Sequence, residues 1–390
     1  MLPAHGGHPY DVNQLWQQEN LLYNVPHHLA PVDVGYYPFD EYRNPPLFAL
    51  LLTPLARLPF TAGYVIFTLA VVALAVVGSW LTLRALGWTE RRVLAIGIVL
   101  ISPCVFLTVW NGQQSTLLLC VLGATLYALR QGRAGLAGAL FALSWVKPHL
   151  LVPVALAVPL LLSWRPALRW CGGFGALTAL GLVATAVTSG GASITAWLHS
   201  LLGYTGYIHV AQVTDVSALQ NYLPSLSGTA LVWLPPPWNK LCAVAIMVLG
   251  LGVMVTVVAR AQRYRRAPWV GVCVLIAVWL LCTPYLHTHD DVLLLPALAA
   301  AWAWGRGGAQ TGGRGMRALP LLALWTITAL PLAFVLPRPW SLLGLVPPVL
   351  ICASGLLAQD KTGCTLEPRS AADVRPQSGD RGRAGTHGVA

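Results

Sequence analysis

The chain has 390 residues, of which 56% are hydrophobic and 9% charged, with a formal net charge of +11 and eight cysteines. A soluble globular chain carries about 25% charged residues, so a water-solvated surface over this length is excluded, and the mean hydropathy of +0.65 agrees. The positive charge does not point to nucleic acid, because the arginines sit in short stretches between apolar runs; the cysteines are scattered without a CxxC pair, which supports neither a metal site nor a disulfide framework.

Residues 1–45 are polar and read as an extracytoplasmic N-terminal segment. Residues 46–58 are apolar but short and punctuated by proline, which predicts an interfacial or re-entrant helix beginning at Pro45-Pro46. Apolar runs follow at 61–84, 92–109, 115–130, 134–147, 150–164, 168–188, 241–259, 268–284, 291–305, 318–336 and 342–358. Backbone amides in lipid must be satisfied within their own segment, so these runs are helices. The predicted fold class is all-α: a polytopic helical membrane protein with about eleven transmembrane helices plus the short interfacial helix, spanning 46–358. The pair 134–147 and 150–164 also reads as a re-entrant hairpin, which leaves the outer topology unchanged. Residues 359–390, rich in Gly, Arg, Ser and Pro, read as a disordered cytoplasmic tail.

Basic residues sort by loop. Alternate connections hold Arg84, Arg91 and Arg92; Arg130 and Arg133; Arg165 and Arg169; Arg260, Arg263, Arg265 and Arg266; and Arg306, Arg314 and Arg317. The intervening connections hold Lys147, Lys240 and Arg338, with Arg43, and Arg57 in the short helix, before the run at 61–84. The arginine-rich loops are therefore predicted to be cytoplasmic. The start of the chain, 110–114, 147–149, 189–240, 284–290 and 337–341 then lie outside.

Polar clusters gather on that outer face. Asn44-Pro45-Pro46-Leu47 reads either as a plain helix start or as part of a site. Asn111-Gly112-Gln113-Gln114-Ser115 reads as a tight connector or as amides for sugar hydroxyls. Trp145-Val146-Lys147-Pro148-His149 sets a lysine against the charge asymmetry. It reads as a phosphate-binding cation or as a lysine snorkelling to the interface. The loop 189–240 mixes aromatic and amide side chains, as carbohydrate binding or an interfacial belt would. Thr283 to Asp291 brings His287, His289, Asp290 and Asp291 to the start of a span. One carboxylate suits a helix N-cap, but two carboxylates and two histidines exceed that need. The H-x-H-D-D order matches no metal signature.

These clusters, in this order, resemble glycosyltransferase family 87, polytopic GT-C enzymes that include polyprenyl-phosphate-mannose-dependent α-mannosyltransferases. The resemblance is carried by Asn44 to Leu58 (NPPLFALLLTPLARL), Asn111 to Leu119 (NGQQSTLLL), Gly138 to Leu150 (GALFALSWVKPHL) and Thr283 to Pro296, and runs from about residue 6 to 358. Gly6 to Asp11 is similar to the family's G-x-x-x-Y-D segment, and Asn44 stands where the family has tyrosine.

The resemblance implies transfer of a hexose, most often mannose, from a polyprenyl-phosphate donor to a glycolipid or glycan acceptor. The reaction would proceed with inversion on the extracytoplasmic face of the plasma membrane. Asp290, Asp291, His289 and His287 are the catalytic candidates. Lys147 and His149, with the two histidines, would support charge on the leaving phosphate. Asn111, Gln113 and Gln114 would orient the sugar, with Asn44, Tyr10 and Asp11 also on the substrate side. A polyprenyl phosphate is already a good leaving group, so no metal or other cofactor is required. The resemblance also implies a first span and a loop aspartate, the general base, ahead of Gly6. No residue matches that aspartate, so an in-frame upstream extension is expected. A polar external N-terminus with no hydrophobic segment ahead of it gives the same expectation. Within the chain as written, the base is sought among Asp11, Asp33, Asp40, Glu41, Asp290 and Asp291. A polyprenyl-linked sugar transporter and an inactive accessory subunit are the competing readings. Polar groups at one membrane edge rather than mid-span favour an enzyme over a transporter.

Overall fold

Proline sets many of the helix boundaries. It fixes its own φ, lacks an N–H, and keeps the preceding residue out of the helical region, so an X-Pro step opens a helix after an extended residue. The computed structural model describes residues 45–88, 92–202, 225–260, 267–283 and 286–300. Helix α1 (Pro46–Ala56) follows extended Pro45, and α2 (Phe60–Ala85) follows extended Pro59. Helices α3 (Arg92–Leu100) and α4 (Pro103–Trp110) meet at extended Ser102, whose Oγ accepts from Val105 N. Then come α5 (Ser115–Arg130), α6 (Ala134–Ala142), a 3-10 turn (Leu143–Val146) and α7 (Pro148–Leu161). After these run α8 (Trp164–Ser189), α9 (Gly191–Leu202), α10 (Leu226–Trp233), α11 (Trp238–Ala259) and α12 (Pro268–Cys282). A 3-10 helix (Thr288–Leu294) closes the series, with helical backbone continuing to 300. No strand occurs among the described residues.

The helices sort by how they meet their surroundings. Phe60–Ala85, Trp164–Ser189 and Trp238–Ala259 are long and apolar enough to cross a bilayer, and most of their side chains are not buried in the protein. Leu69, Leu180, Val187, Val248 and Leu249 are all more than half exposed. Apolar side chains exposed along such lengths need lipid, not water, around them. Helix α12 is the opposite case: every residue from Trp269 to Cys282 is buried. It forms the centre against which α7 and α11 pack. The chain is a helical membrane protein.

Close approach is bought with small residues, as membrane helices require. A Cβ on Gly78 of α2 would lie 2.7 Å from the Cys120 amide nitrogen of α5, and one on Gly123 would lie 2.5 Å from the Gly78 carbonyl. The contact of α6 with α8 is built the same way: a Cβ on Gly138 would overlap the Trp170 carbonyl, and one on Gly173 the Gly135 carbonyl.

The predicted span 92–109 is two helices bent by 48° at Ser102-Pro103. The predicted spans 134–147 and 150–164 are short helices broken at Lys147-Pro148. The predicted span 291–305 opens as a 3-10 helix. The segment 1–44, residues 203–224 of the predicted external loop 189–240, the spans 318–336 and 342–358, and the tail 359–390 lie outside the described residues; the described ends of that loop are helical, in α9 and α10.

Candidate active site

Three breaks in helical backbone create the site. Pro148 keeps Lys147 out of the helix, at φ −135° and ψ 77°, between the 3-10 turn and α7. The turn Asn111–Gln114 between α4 and α5, with Gly112 at φ +61°, delivers Ser115 to the start of α5. Thr283, before Pro284, ends α12 in extended backbone, and extended His287 starts the last 3-10 helix. These breaks meet at one end of the bundle, where α4 and α5 pack on the 3-10 helix.

The centre is a buried ion pair. Lys147 Nζ lies 2.8 Å from Asp290 Oδ1, with side-chain exposures of 9% and 0%. Ser115 Oγ donates to the same carboxylate oxygen at 2.6 Å. Lys147 Nζ is also 3.2 Å from His289 Nε2. An ammonium can only donate, so this contact requires the neutral imidazole with its proton on Nδ1. The rings of His287 and His289 stack with centroids 5.2 Å apart. Backbone contacts hold the frame. Asp290 N donates to the His287 carbonyl at 2.8 Å, and Trp279 Nε1 donates to the His149 carbonyl at 2.9 Å.

Both titratable groups beside Lys147 lie in the connection before the last described span. Burial lowers the His289 imidazole to about 3, against the pull of Asp290, with Lys147 and His287 adding to the fall. Burial raises the Asp290 carboxyl, but the Lys147 ammonium and its hydrogen bond outweigh this and hold it below the usual carboxylate range. Asp290 is thus ionised and His289 neutral near pH 7.

In the segments that meet here, several buried polar atoms have no hydrogen-bond partner among the described residues: Gln114 Oε1, Thr116 Oγ1, Ser144 Oγ, Thr283 Oγ1, Asp290 Oδ2 and both oxygens of Asp291. His289 Nε2 lies 3.7 Å from Asp290 Oδ2, too far for a hydrogen bond. Orphaned buried polar groups are costly in a protein interior; others lie within α2 and α5 (Thr68, Ser79, Thr82 and Thr125), but all the carboxylate oxygens among them belong to the 3-10 helix of this site. The set is rich in hydroxyl and carboxylate oxygens, suited to a ligand that brings its own hydroxyl donors. No three of His, Cys, Asp or Glu form a metal-binding set among the described residues.

Of the residues singled out from sequence, the structure joins Lys147, His289 and Asp290 directly, with His287 stacked on the group and Asp291 adjoining it. Gln114 is buried beside Ser115, whereas Asn111 is exposed and Gln113 half-buried, and neither side chain bonds to the Lys147 cluster among the described residues. His149 opens α7 and meets α12 through its carbonyl. Asn44, Tyr10 and Asp11 lie outside the described residues. In the stretch predicted as the external loop, Trp197 lies on α9 and is buried, edge-on to Trp145 at 6.2 Å, and so packs the fold rather than offering an open sugar platform. Sequence reading missed Ser115 as a partner of Asp290, because the two are 175 positions apart.

A model of glycosyltransferase family 87 matches residues 42–284, well over half of the chain. The chain belongs to glycosyltransferase family 87. Family 87 membership and the lipid-facing helices make it a membrane glycosyltransferase, acting on a sugar donor and an acceptor. The family match contains the Lys147 and Ser115 elements and stops just before the 3-10 helix that carries His289 and Asp290. No curated protein and no solved structure matches the chain.

Proposed function

We propose that this family 87 protein transfers a hexose, mannose in the first instance, from a polyprenyl-phosphate donor to a glycolipid or glycan hydroxyl. The reaction takes place at the extracytoplasmic face of the plasma membrane. The observation that carries the proposal is the buried Lys147 at a helix break, held by Asp290 and His289 among orphaned oxygens. A lysine is an uncommon choice for a buried site at a membrane edge unless an anion is to be met there. The lipid tail of such a donor stays between helices, which puts the phosphate at a membrane boundary.

The acceptor oxygen attacks the anomeric carbon from the face opposite the phosphate, and the carbon–oxygen bond to phosphate breaks with inversion. The electron pair leaves with the polyprenyl phosphate, whose growing charge Lys147 stabilises. The acceptor proton passes to a carboxylate. Of the two in the described site, Asp290 is the weaker base, since Lys147 and Ser115 already hold its charge. Asp291, whose oxygens carry no hydrogen bond among the described residues, is the stronger candidate. Asp290 instead positions Lys147. Gln114 and Ser144 are suited to sugar hydroxyls. The transfer requires no metal.

The test is transfer by the purified full chain from labelled polyprenyl-phosphate mannose, set against translocation of the same lipid across a vesicle membrane. Lys147→Ala is confounded, because removing one partner of a buried ion pair costs about 3–5 kcal/mol in stability. The double variant Lys147→Gln with Asp290→Asn removes both charges and keeps hydrogen-bonding groups. It should fold like the wild type, yet lose transfer by about 10²–10³-fold, the scale of one lost charge-stabilising donor. Wild-type transfer in the folded double variant removes Lys147 from the reaction. Translocation without transfer makes the protein a transporter.

A further inference from the structure

Three arginines converge at the other end of the bundle. Arg84 lies in the last turn of α2, Arg92 opens α3 and Arg130 closes α5. With Gly87, Tyr127 and Gln131 they line a cavity of 260 Å³. Helix α5 runs from Ser115 to Arg130, so a rise of 1.5 Å per residue sets this cavity about 22 Å from the Lys147 site.

Each guanidinium is oriented by the protein. Arg130 Nη1 donates to the Arg84 carbonyl at 2.6 Å and the Ala85 carbonyl at 3.0 Å, closing the C-terminus of α2. Arg92 Nε donates to the Trp88 carbonyl. The Arg84 guanidinium lies 5.0 Å from the Trp80 ring centroid and 5.3 Å from that of Tyr127. These contacts occupy a minority of the five N–H donors of each group. None of the three forms an ion pair among the described residues, where the only carboxylates are Asp290 and Asp291 at the far end. A membrane protein needs arginine in its loops to set topology. Topology does not need three guanidinium groups fixed around one cavity, where their mutual repulsion favours an anion.

We propose that this cavity binds a phosphate-bearing anion, with Arg84, Arg92 and Arg130 as its cationic ligands. A tetrahedral, multiply charged oxyanion suits several guanidinium forks at once. The volume takes a phosphate with its ester substituent, since a single water occupies about 30 Å³. Tyr127 lines the cavity and Trp80 lies against the Arg84 guanidinium, and both are side-chain types favoured at a lipid–water interface. The anion is therefore either the headgroup of an acidic phospholipid or a soluble phosphate compound.

The experiment uses the full chain in nanodiscs of pure phosphatidylcholine. One arm titrates inorganic phosphate and pyrophosphate; the other replaces part of the lipid with phosphatidylglycerol. Thermal midpoint and the lipid retained in native mass spectrometry are read in both. The expected result is a saturable rise in midpoint in at least one arm. A response to phosphatidylglycerol alone identifies a headgroup site, and a response to the soluble anions identifies a free-phosphate site. Arg84→Gln and Arg92→Gln should each weaken binding about tenfold, and together about a hundredfold. Arg130 is spared because it also caps α2. No saturable response in either arm, or wild-type binding in the folded Arg84→Gln/Arg92→Gln variant, overturns the proposal.

Discussion

Lys147 and His289 share one buried hydrogen bond, and the pair makes the site sensitive to acid. His289 has a folded-state value of about 3 against an ordinary 6.5, so the unfolded chain binds the extra proton first as pH falls. The stability this neutral imidazole contributes is full above about pH 6.5 and is lost progressively toward pH 3. Asp290, held below its ordinary 3.8, adds a second loss at pH values below that. The thermal midpoint in detergent should therefore be flat from pH 8 to 7 and fall below about 6.5. In His289→Asn, which keeps a hydrogen-bonding side chain without titrating, the fall between pH 6.5 and 4 should be shallower than in the wild type. Parallel curves for the two proteins would show that His289 binds its proton as readily in the folded chain as in the unfolded one.

At the scale of elements, the sequence was readable where one residue dictates local backbone, and opaque where two distant segments meet. Lys147-Pro148 announced a helix break with a misplaced cation, and the break is there. Ser102-Pro103 announced a bend by the same rule, yet hydropathy alone gave one span over 92–109. Ser115 carried no signal of its own, since a serine at a helix start needs no other explanation, and its partner Asp290 comes from the far end of the chain. The glycines of α6 could be read as a small-residue helix, but not the surface they serve. The structure assigns them to α8, where backbone meets backbone at Gly138–Trp170 and Gly135–Gly173. A methyl group there meets carbonyl backbone rather than a movable side chain. Gly138→Ala should cost about 1–3 kcal/mol as an overpacked contact, and Gly138→Val more. Gly172→Ala is the control, because a Cβ at Gly172 has open space around it. Thermal midpoints that fall equally for Gly138 and Gly172 would refute the close crossing.

At the scale of the whole molecule, chain direction orders the two ends. Helix α5 leaves the Lys147 site and ends at Arg130. The stretch 134–146 returns to Lys147, α7 leaves again from Pro148, and α8 comes back over 26 residues, about 39 Å, to Ser189. The 189–192 connection therefore shares an end with Lys147, and the 131–133 turn shares an end with the arginine cavity. On the positive-inside rule, we propose that the Lys147 end is extracytoplasmic. Ala192 and Gln131 are both exposed, which makes them usable probe positions, whereas Ser193 is only 2% exposed and would be shielded. In a background without reactive cysteines, Ala192→Cys should label with a membrane-impermeant maleimide in intact cells. Gln131→Cys should label only after the membrane is opened. Labelling of Gln131→Cys alone in intact cells would turn the molecule over and set the Lys147 site facing the cytoplasm, where donors come directly from synthesis rather than after transfer across the bilayer. That outcome would leave the buried ion pair and the helix packing untouched, because neither depends on which way the bundle faces.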